Sequence, residues 1–168
     1  MNSKIKRLTL TAMLAALCVV LLYISAVLPT MRLAIVVIAG LLTAVAILEN
    51  GMAAGVFLYV VSSVLGLLVS PLKGNILVYI LFFGYYPIVK GIMERIKLRP
   101  VEWVLKILVF NAALTAAVIL YWKGLLNGIQ LPDLAIYLTY LAANAAFILY
   151  DIGFSGLIAR YLVRFKKR

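Results

Sequence analysis

The stretch LTLTAMLAALCVVLLYISAVL, residues 8–28, contains no charged side chain. About 20 consecutive apolar residues are enough for a helix to cross the hydrocarbon core of a bilayer. Lys4, Lys6 and Arg7 precede this stretch, as in a secretory signal peptide, but its apolar part is longer than the roughly 7 to 15 residues of such signals. Pro29 follows and interrupts the helical pattern. The stretch therefore predicts a first membrane span that is retained in the protein.

The composition of the whole chain extends this interpretation. Of the 168 residues, 67% are hydrophobic and only 12% are charged, whereas soluble domains have an apolar fraction of roughly one half. The chain has one cysteine, Cys18, and no histidine, so disulfide scaffolds and histidine chemistry are excluded. The composition predicts a polytopic membrane protein.

Six apolar segments follow one another along the chain without a long linker or a clear internal repeat. We predict an all-α membrane protein with a single domain, residues 1–168, built as a compact bundle of six transmembrane helices. The predicted spans cover about residues 8–28, 33–48, 52–69, 76–93, 102–122 and 134–160.

Lysine and arginine are distributed unevenly between the two sets of predicted loops. If the amino terminus is cytoplasmic, 13 of these cations lie at the cytoplasmic side, and only Arg32, Lys73 and Lys123 lie at the external side. The bias predicts that both termini are cytoplasmic. The net charge of +11 thus reflects topology, and we expect no nucleic-acid partner.

The stretch FFGYYPIVKGIMERIKLRP, residues 82–100, provides the main cytoplasmic loop of this topology. Its cations are Lys90, Arg95, Lys97 and Arg99. Two interpretations remain open: the loop anchors the chain on anionic lipid headgroups, or it forms a docking surface for a cytoplasmic partner.

Catalysis is not expected, because the carboxylates have no paired spacing and no motif joins them to a nucleophile. They are Glu49, Glu94, Glu102, Asp133 and Asp151. We expect no enzyme activity, no catalytic residue, no metal site and no cofactor. Asp151 differs from the others because it lies inside a span, at a depth similar to Asn111. Its expected role is structural, in an ion pair or hydrogen bond with Lys90 or Lys106, and a proton relay is the alternative.

The sixth predicted helix carries a polar stripe at helical spacing: Tyr137, Tyr140, Asn144, Asp151 and Ser155. Near the external side, the first three could combine with Asn75, Tyr79 and the cations Arg32, Lys73 and Lys123 to line an outward-facing pocket. The alternative is an interfacial aromatic belt with polar residues that bridge helices.

The first predicted helix carries small residues four positions apart, Ala12 and Ala16, a spacing that allows helices to approach closely. Internal packing is the ordinary explanation of such a pair. Together with the basic start and the six-span size, however, the stretch KIKRLTLTAMLAALCVVL, residues 4–21, resembles the substrate-binding S components of energy-coupling factor (ECF) vitamin transporters.

The resemblance implies a bacterial or archaeal plasma-membrane protein that binds a vitamin or related micronutrient near its external face. It also implies docking of the first helix, through Ala12, Ala15 and Ala16, on a transmembrane T component driven by two cytoplasmic ATPases. The implied ligand contacts are Asn75, Tyr79, Tyr137, Tyr140 and Asn144. The first external loop, about residues 29–31, is shorter than the loop that members of this family often use as a lid.

Two other functions compete with this resemblance. One is a non-transport membrane scaffold for cell-shape or cell-division partners, which needs no ligand pocket. The other is a small secondary transporter, which would need a coupling-ion site and repeated halves with discontinuous helices.

Overall fold

The computed structural model describes residues 3–28, 30–96, 98–124 and 136–165, and the regular structure in these ranges is helical. Seven α-helices and one π-helical segment, Tyr79–Phe83, occur there. The α-helices are α1 (Ser3–Val27), α2 (Arg32–Asn50), α3 (Met52–Val69), α4 (Lys73–Val78), α5 (Tyr86–Met93), α6 (Arg99–Trp122) and α7 (Ile136–Phe165).

Six helical stretches are long and apolar enough to cross a membrane, because α4, the π-helical segment and α5 form one stretch, Lys73–Met93. The predictions of an all-helical chain and of six such helices are confirmed.

Some helix ends differ from the predicted ones. The fourth stretch begins at Lys73 and not at residue 76 as predicted. The Lys73 ammonium group donates hydrogen bonds to the carbonyls of Leu67 and Ser70 at the end of α3, so the charged group has acceptors in the first turn of the helix. Asp133 lies outside the described residues.

The main hydrophobic core lies among α1, α2, α3 and the fourth stretch. Small and large side chains alternate in it, as is common where membrane helices pack closely. Its buried members are Ala15, Cys18, Leu22, Val36, Ala39, Ala46, Leu58, Ile76 and Tyr79. Fewer side chains of α6 and α7 are buried, so these two helices pack less closely on the rest of the chain.

Side-chain hydrogen bonds fix which helix ends lie together. Asn50, at the end of α2, donates to the Arg7 carbonyl and to the Thr11 hydroxyl at the start of α1, both at 2.9 Å. Tyr161 of α7 donates to Glu49 at 2.8 Å. We call this end of the bundle, where α1 begins and α2, α5 and α7 end, the basic end.

The opposite end is joined by Asn75 of α4, whose amide donates to the Ser25 carbonyl of α1 at 2.7 Å. Between the two ends, the fourth stretch passes very close to α2. A Cβ atom on Gly40 would overlap the backbone carbonyl of Phe83, so only glycine fits at this crossing. The π-helical turn is closed there by a 2.7 Å hydrogen bond from the Gly84 amide to the Tyr79 carbonyl.

Candidate functional site

A cavity of about 400 Å³ lies between α2, the fourth stretch, α6 and α7. Four phenylalanines and three tyrosines line it, together with six aliphatic side chains, and none of these thirteen residues is charged. Its volume falls in the range of roughly 300 to 1,000 Å³ that is usual for small-molecule sites. The cavity is the best-formed candidate site in the described part of the chain.

The packing of α6 and α7 explains why space remains here. Phe110 of α6 and Phe147 of α7 stack with their ring centroids 4.3 Å apart. The two rings lie between the helices, so α6 and α7 cannot pack more closely at this level. One turn away on the same face of α7, Ala143 contributes only a methyl group. Large rings therefore keep the helices apart, and small residues leave the volume between them unfilled.

Rings on the fourth stretch complete the aromatic lining. Tyr86 meets Phe147 edge-to-face at 5.4 Å, and Phe83 meets Tyr150 in the same manner at 5.3 Å. These contacts link the fourth stretch to α7 through ring edges and faces, which is the preferred geometry of aromatic pairs. The shape of the cavity is thus preformed by side-chain packing.

A cluster of charged side chains lies next to the cavity, toward the basic end. Asp151 of α7 is 3% exposed, and the lysines that contact it, Lys90 and Lys106, are 1% and 3% exposed. Lys90 contacts one carboxylate oxygen of Asp151, and Lys106 lies 3.2 Å from the other. A carboxylate inside a membrane helix is costly unless it is paired, and here it is paired on both oxygens.

Two further carboxylates complete this ion cluster. Glu94 lies 2.8 Å from the Lys90 ammonium, and Glu102 lies 2.7 Å from that of Lys106. Both glutamates are more exposed than Asp151, so the cluster runs from the interior toward the surface. Three carboxylates and two ammonium groups give the cluster a formal charge of −1, and the cluster ties together α5, α6 and α7.

Tyr86 joins the cavity to the ion cluster. Its ring lines the cavity, and its hydroxyl donates a hydrogen bond to Asp151. A change in the position of this ring, for example on occupation of the cavity, would therefore alter the hydrogen bonding of the buried carboxylate.

No family model, curated protein or solved structure matches this chain. The cavity, the ion cluster and the surface of the bundle are therefore the features that bear on its function.

The structure separates the ligand residues expected from the sequence into two groups. Asn75 and Tyr79 are buried among α1, α2 and α3, where the Tyr79 hydroxyl shares hydrogen bonds with Ser62 at 2.9 Å and Thr43 at 3.3 Å. All the described hydrogen bonds of these two residues are thus made within the core. Neither residue is among those that line the cavity.

The second group lies on α7, facing α6. The amides of Asn144 and Asn111 exchange two hydrogen bonds, at 2.9 and 3.0 Å, and Tyr140 pairs with the Thr115 hydroxyl at 2.9 Å. Tyr137 is 71% exposed on the surface of the bundle. Asn144 and Tyr140 thus bridge α7 to α6, and none of the three α7 residues is among those that line the cavity.

The aromatic residues that line the cavity are not among the ligand residues predicted from the sequence, which were asparagines and other tyrosines. A signal was nevertheless present, because the lining residues Phe147 and Tyr150 are spaced at a helical interval on α7 beside Asp151. Such spacing alone does not separate a filled aromatic core from an open cavity, since the difference depends on how the helices pack.

The small residues of α1 also divide by position. Ala12 and Ala16 are exposed on the surface of the bundle, whereas Ala15 is 5% exposed and belongs to the core. The exposed pair lies beside Met13 and other large apolar side chains, so this face of α1 is apolar throughout its middle turns.

No group of three or more histidine, cysteine, aspartate or glutamate side chains among the described residues has a metal-binding arrangement.

Proposed function

We propose that this chain is the substrate-binding membrane subunit of an ECF-type importer, which captures a vitamin or related micronutrient in the aromatic cavity. The cavity is the observation that carries the proposal. It combines a ligand-sized volume with a preformed lining contributed by four helical stretches. A membrane scaffold that only gathers partners does not need such a pocket, whereas a binding subunit does.

The orientation belongs to the same proposal. With the basic end cytoplasmic, the asymmetry of lysine and arginine obeys the positive-inside rule. Leu33 and Val37, in the first two turns of α2, line the cavity, so in this orientation it lies toward the external half of the proposed bacterial or archaeal plasma membrane. The ion cluster lies on its cytoplasmic side.

Energy coupling in this proposal uses the exposed face of α1. Ala12 and Ala16 have small side chains four residues apart, and a partner helix can approach the backbone closely at such a pair. The expected partners are a transmembrane T component and two cytoplasmic ATPases. Membrane lipid covers this face when the T component is absent.

The test is identification of a molecule that copurifies with the protein. The chain is extracted gently, and its small-molecule content is compared by mass spectrometry between wild type, Ala143→Phe and Ala145→Phe. Ala143 lines the cavity, so its replacement by phenylalanine fills the volume, whereas Ala145 is exposed and does not line it.

We expect one compound with wild type and Ala145→Phe and its loss with Ala143→Phe. If Ala143→Phe retains every compound that wild type carries, or if wild type carries none and none of a vitamin panel raises its melting temperature, the proposal is wrong. The scaffold alternative would then be preferred.

A further inference from the structure

We infer that the cavity binds an uncharged, planar aromatic molecule with a hydrogen-bonding group that pairs with the Tyr150 hydroxyl. This inference rests on the proposed function and names the chemical class of its substrate. Three observations carry it: the aromatic lining, the charge of the neighbouring cluster and an unpaired hydroxyl.

The lining favours a flat ring. Seven of the thirteen lining side chains are aromatic, and their mutual contacts already use edge-to-face and stacked geometry. A planar aromatic ligand continues these same contacts, at ring separations of about 4.5 to 7 Å. An aliphatic chain fills volume equally well but makes no use of the ring faces.

The electrostatics disfavour an anion. No cation is among the lining residues, so a carboxylate or phosphate in the cavity would be desolvated without a counterion. Beyond Tyr86, the ion cluster has three carboxylates to two lysines, which adds repulsion. The cations near the opposite end, Arg32, Lys73 and Lys123, are not among the lining residues either. An uncharged ligand is therefore favoured over an anionic one.

Tyr150 supplies the polar contact. It lines the cavity, and its hydroxyl oxygen is buried without a hydrogen-bond partner among the described residues. Buried polar groups in folded proteins nearly always have a partner. The Tyr150 hydroxyl has almost no accessible surface, so a small rotation of its ring toward the cavity brings it within reach of the bound molecule, which then supplies the partner. The neighbouring Tyr86 differs, since its hydroxyl is occupied by Asp151.

A series of naphthalene compounds separates these requirements. The probes are naphthalene, 2-naphthol, 2-naphthoate and trimethyl-2-naphthylammonium, measured at pH 7, where 2-naphthol is neutral and 2-naphthoate is charged. Binding is measured at equilibrium in nanodiscs. Nanodiscs that contain Ala143→Phe are used to subtract partitioning into lipid.

We expect 2-naphthol to bind at least tenfold more tightly than either charged probe. Tyr150→Phe keeps the ring and removes the hydroxyl, so it should weaken 2-naphthol binding about tenfold and leave naphthalene binding unchanged. Tyr137→Phe, on the exposed surface, is the matched control and should change neither. Thermal melting of both variants checks that they remain folded.

Three results would overturn the inference: equal or tighter binding of a charged probe, no effect of Tyr150→Phe on 2-naphthol, or no probe binding above the Ala143→Phe level. The proposed function is judged separately by the copurified molecule. If Ala143→Phe still removes that molecule while the naphthalene series fails, the ligand class is wrong and the binding subunit stands.

Discussion

At the scale of single residues, Asp151 shows how one polar group can organise an apolar bundle. Its carboxylate receives Lys90 from α5, Lys106 from α6 and the Tyr86 hydroxyl, so three helices converge on one side chain of α7. In a hydrocarbon environment, each of these groups would be costly alone. Each group compensates the desolvation cost of the others, so removal of one partner leaves the remaining groups buried without compensation.

The first prediction concerns this dependence. Asp151→Leu leaves two buried lysines without their central counterion, and breaking a buried pair typically costs about 3 to 5 kcal/mol. Because Glu94 and Glu102 still contact the lysines, we expect the lower end of that range. The measurement is the free energy of unfolding from denaturant titration in mixed micelles.

The control for this prediction is the double variant Asp151→Leu with Lys90→Met, which removes a positive charge together with the negative one. It should recover part of the lost stability, because the Lys90 side chain is buried and costly without Asp151, whereas its other partner, Glu94, is 43% exposed and can be solvated without it. Wild-type stability in Asp151→Leu would show that the ion cluster contributes nothing to the fold.

At the scale of secondary-structure elements, the crossing of α2 with the fourth stretch limits what the sequence can vary. We predict that Gly40→Ala destabilises the protein by about 2 kcal/mol or more, since its methyl group would overlap the Phe83 backbone and force the helices apart. Gly153→Ala is the matched control. A Cβ there meets nothing within 4 Å, and alanine favours the helix by up to about 1 kcal/mol.

Thermal melting of the two variants in the same detergent checks this prediction. Gly40→Ala should melt below wild type and Gly153→Ala at or above it. Equal melting of Gly40→Ala and wild type would mean that α2 and the π-helical segment are not in close contact.

The face of α1 provides a prediction for the proposed coupling. Ala16→Trp should leave the fold and cavity binding intact but abolish uptake and copurification with a T component, because a large side chain on the exposed face blocks helix approach. Ala15→Trp is the contrasting variant. Its side chain enters the core, so that protein should fail to fold.

Uptake assays and affinity copurification measure the effect of Ala16→Trp, and size-exclusion chromatography compares the two folds. Normal transport by Ala16→Trp would remove α1 as the docking surface. Misfolding of Ala16→Trp would instead show that this face packs inside an assembly that the chain needs for stability.

Hydropathy was sufficient to predict the helices but not the cavity. An uninterrupted apolar segment such as residues 8–28 predicts a helix because no alternative satisfies its backbone in lipid. The cavity depends on the distance between α6 and α7, which Phe110 and Phe147 set only after the helices have packed. The close approach of the π-helical segment to α2 likewise depends on Gly40, a residue of another helix. The ligand residues predicted from the sequence were chosen for their polar groups, whereas the cavity is lined by aromatic and aliphatic side chains.

At the scale of the whole molecule, the described bundle combines a closely packed part with a more open one. The core residues belong to α1, α2, α3 and the fourth stretch, whereas α6 and α7 bury few side chains and border the cavity. In the proposed importer, the packed part presents the α1 face to a partner, and the open part holds the ligand. The ion cluster fastens the open part to the fourth stretch at the basic end.

The orientation of this arrangement is the last prediction. Lys90 and Lys106 are buried in the ion cluster, yet without them the cation ratio is still 11 to 3, so the basic end should remain cytoplasmic. Arg95→Cys and Lys123→Cys place single thiols at exposed positions of the two ends, in a Cys18→Ser background. Serine preserves a hydrogen-bonding group beside Tyr79 at that buried site.

An impermeant thiol reagent should label Lys123→Cys in intact cells and Arg95→Cys only after permeabilisation. The reverse pattern would place the cavity toward the cytoplasm, where it could not capture an external substrate, and would refute the importer proposal together with the topology.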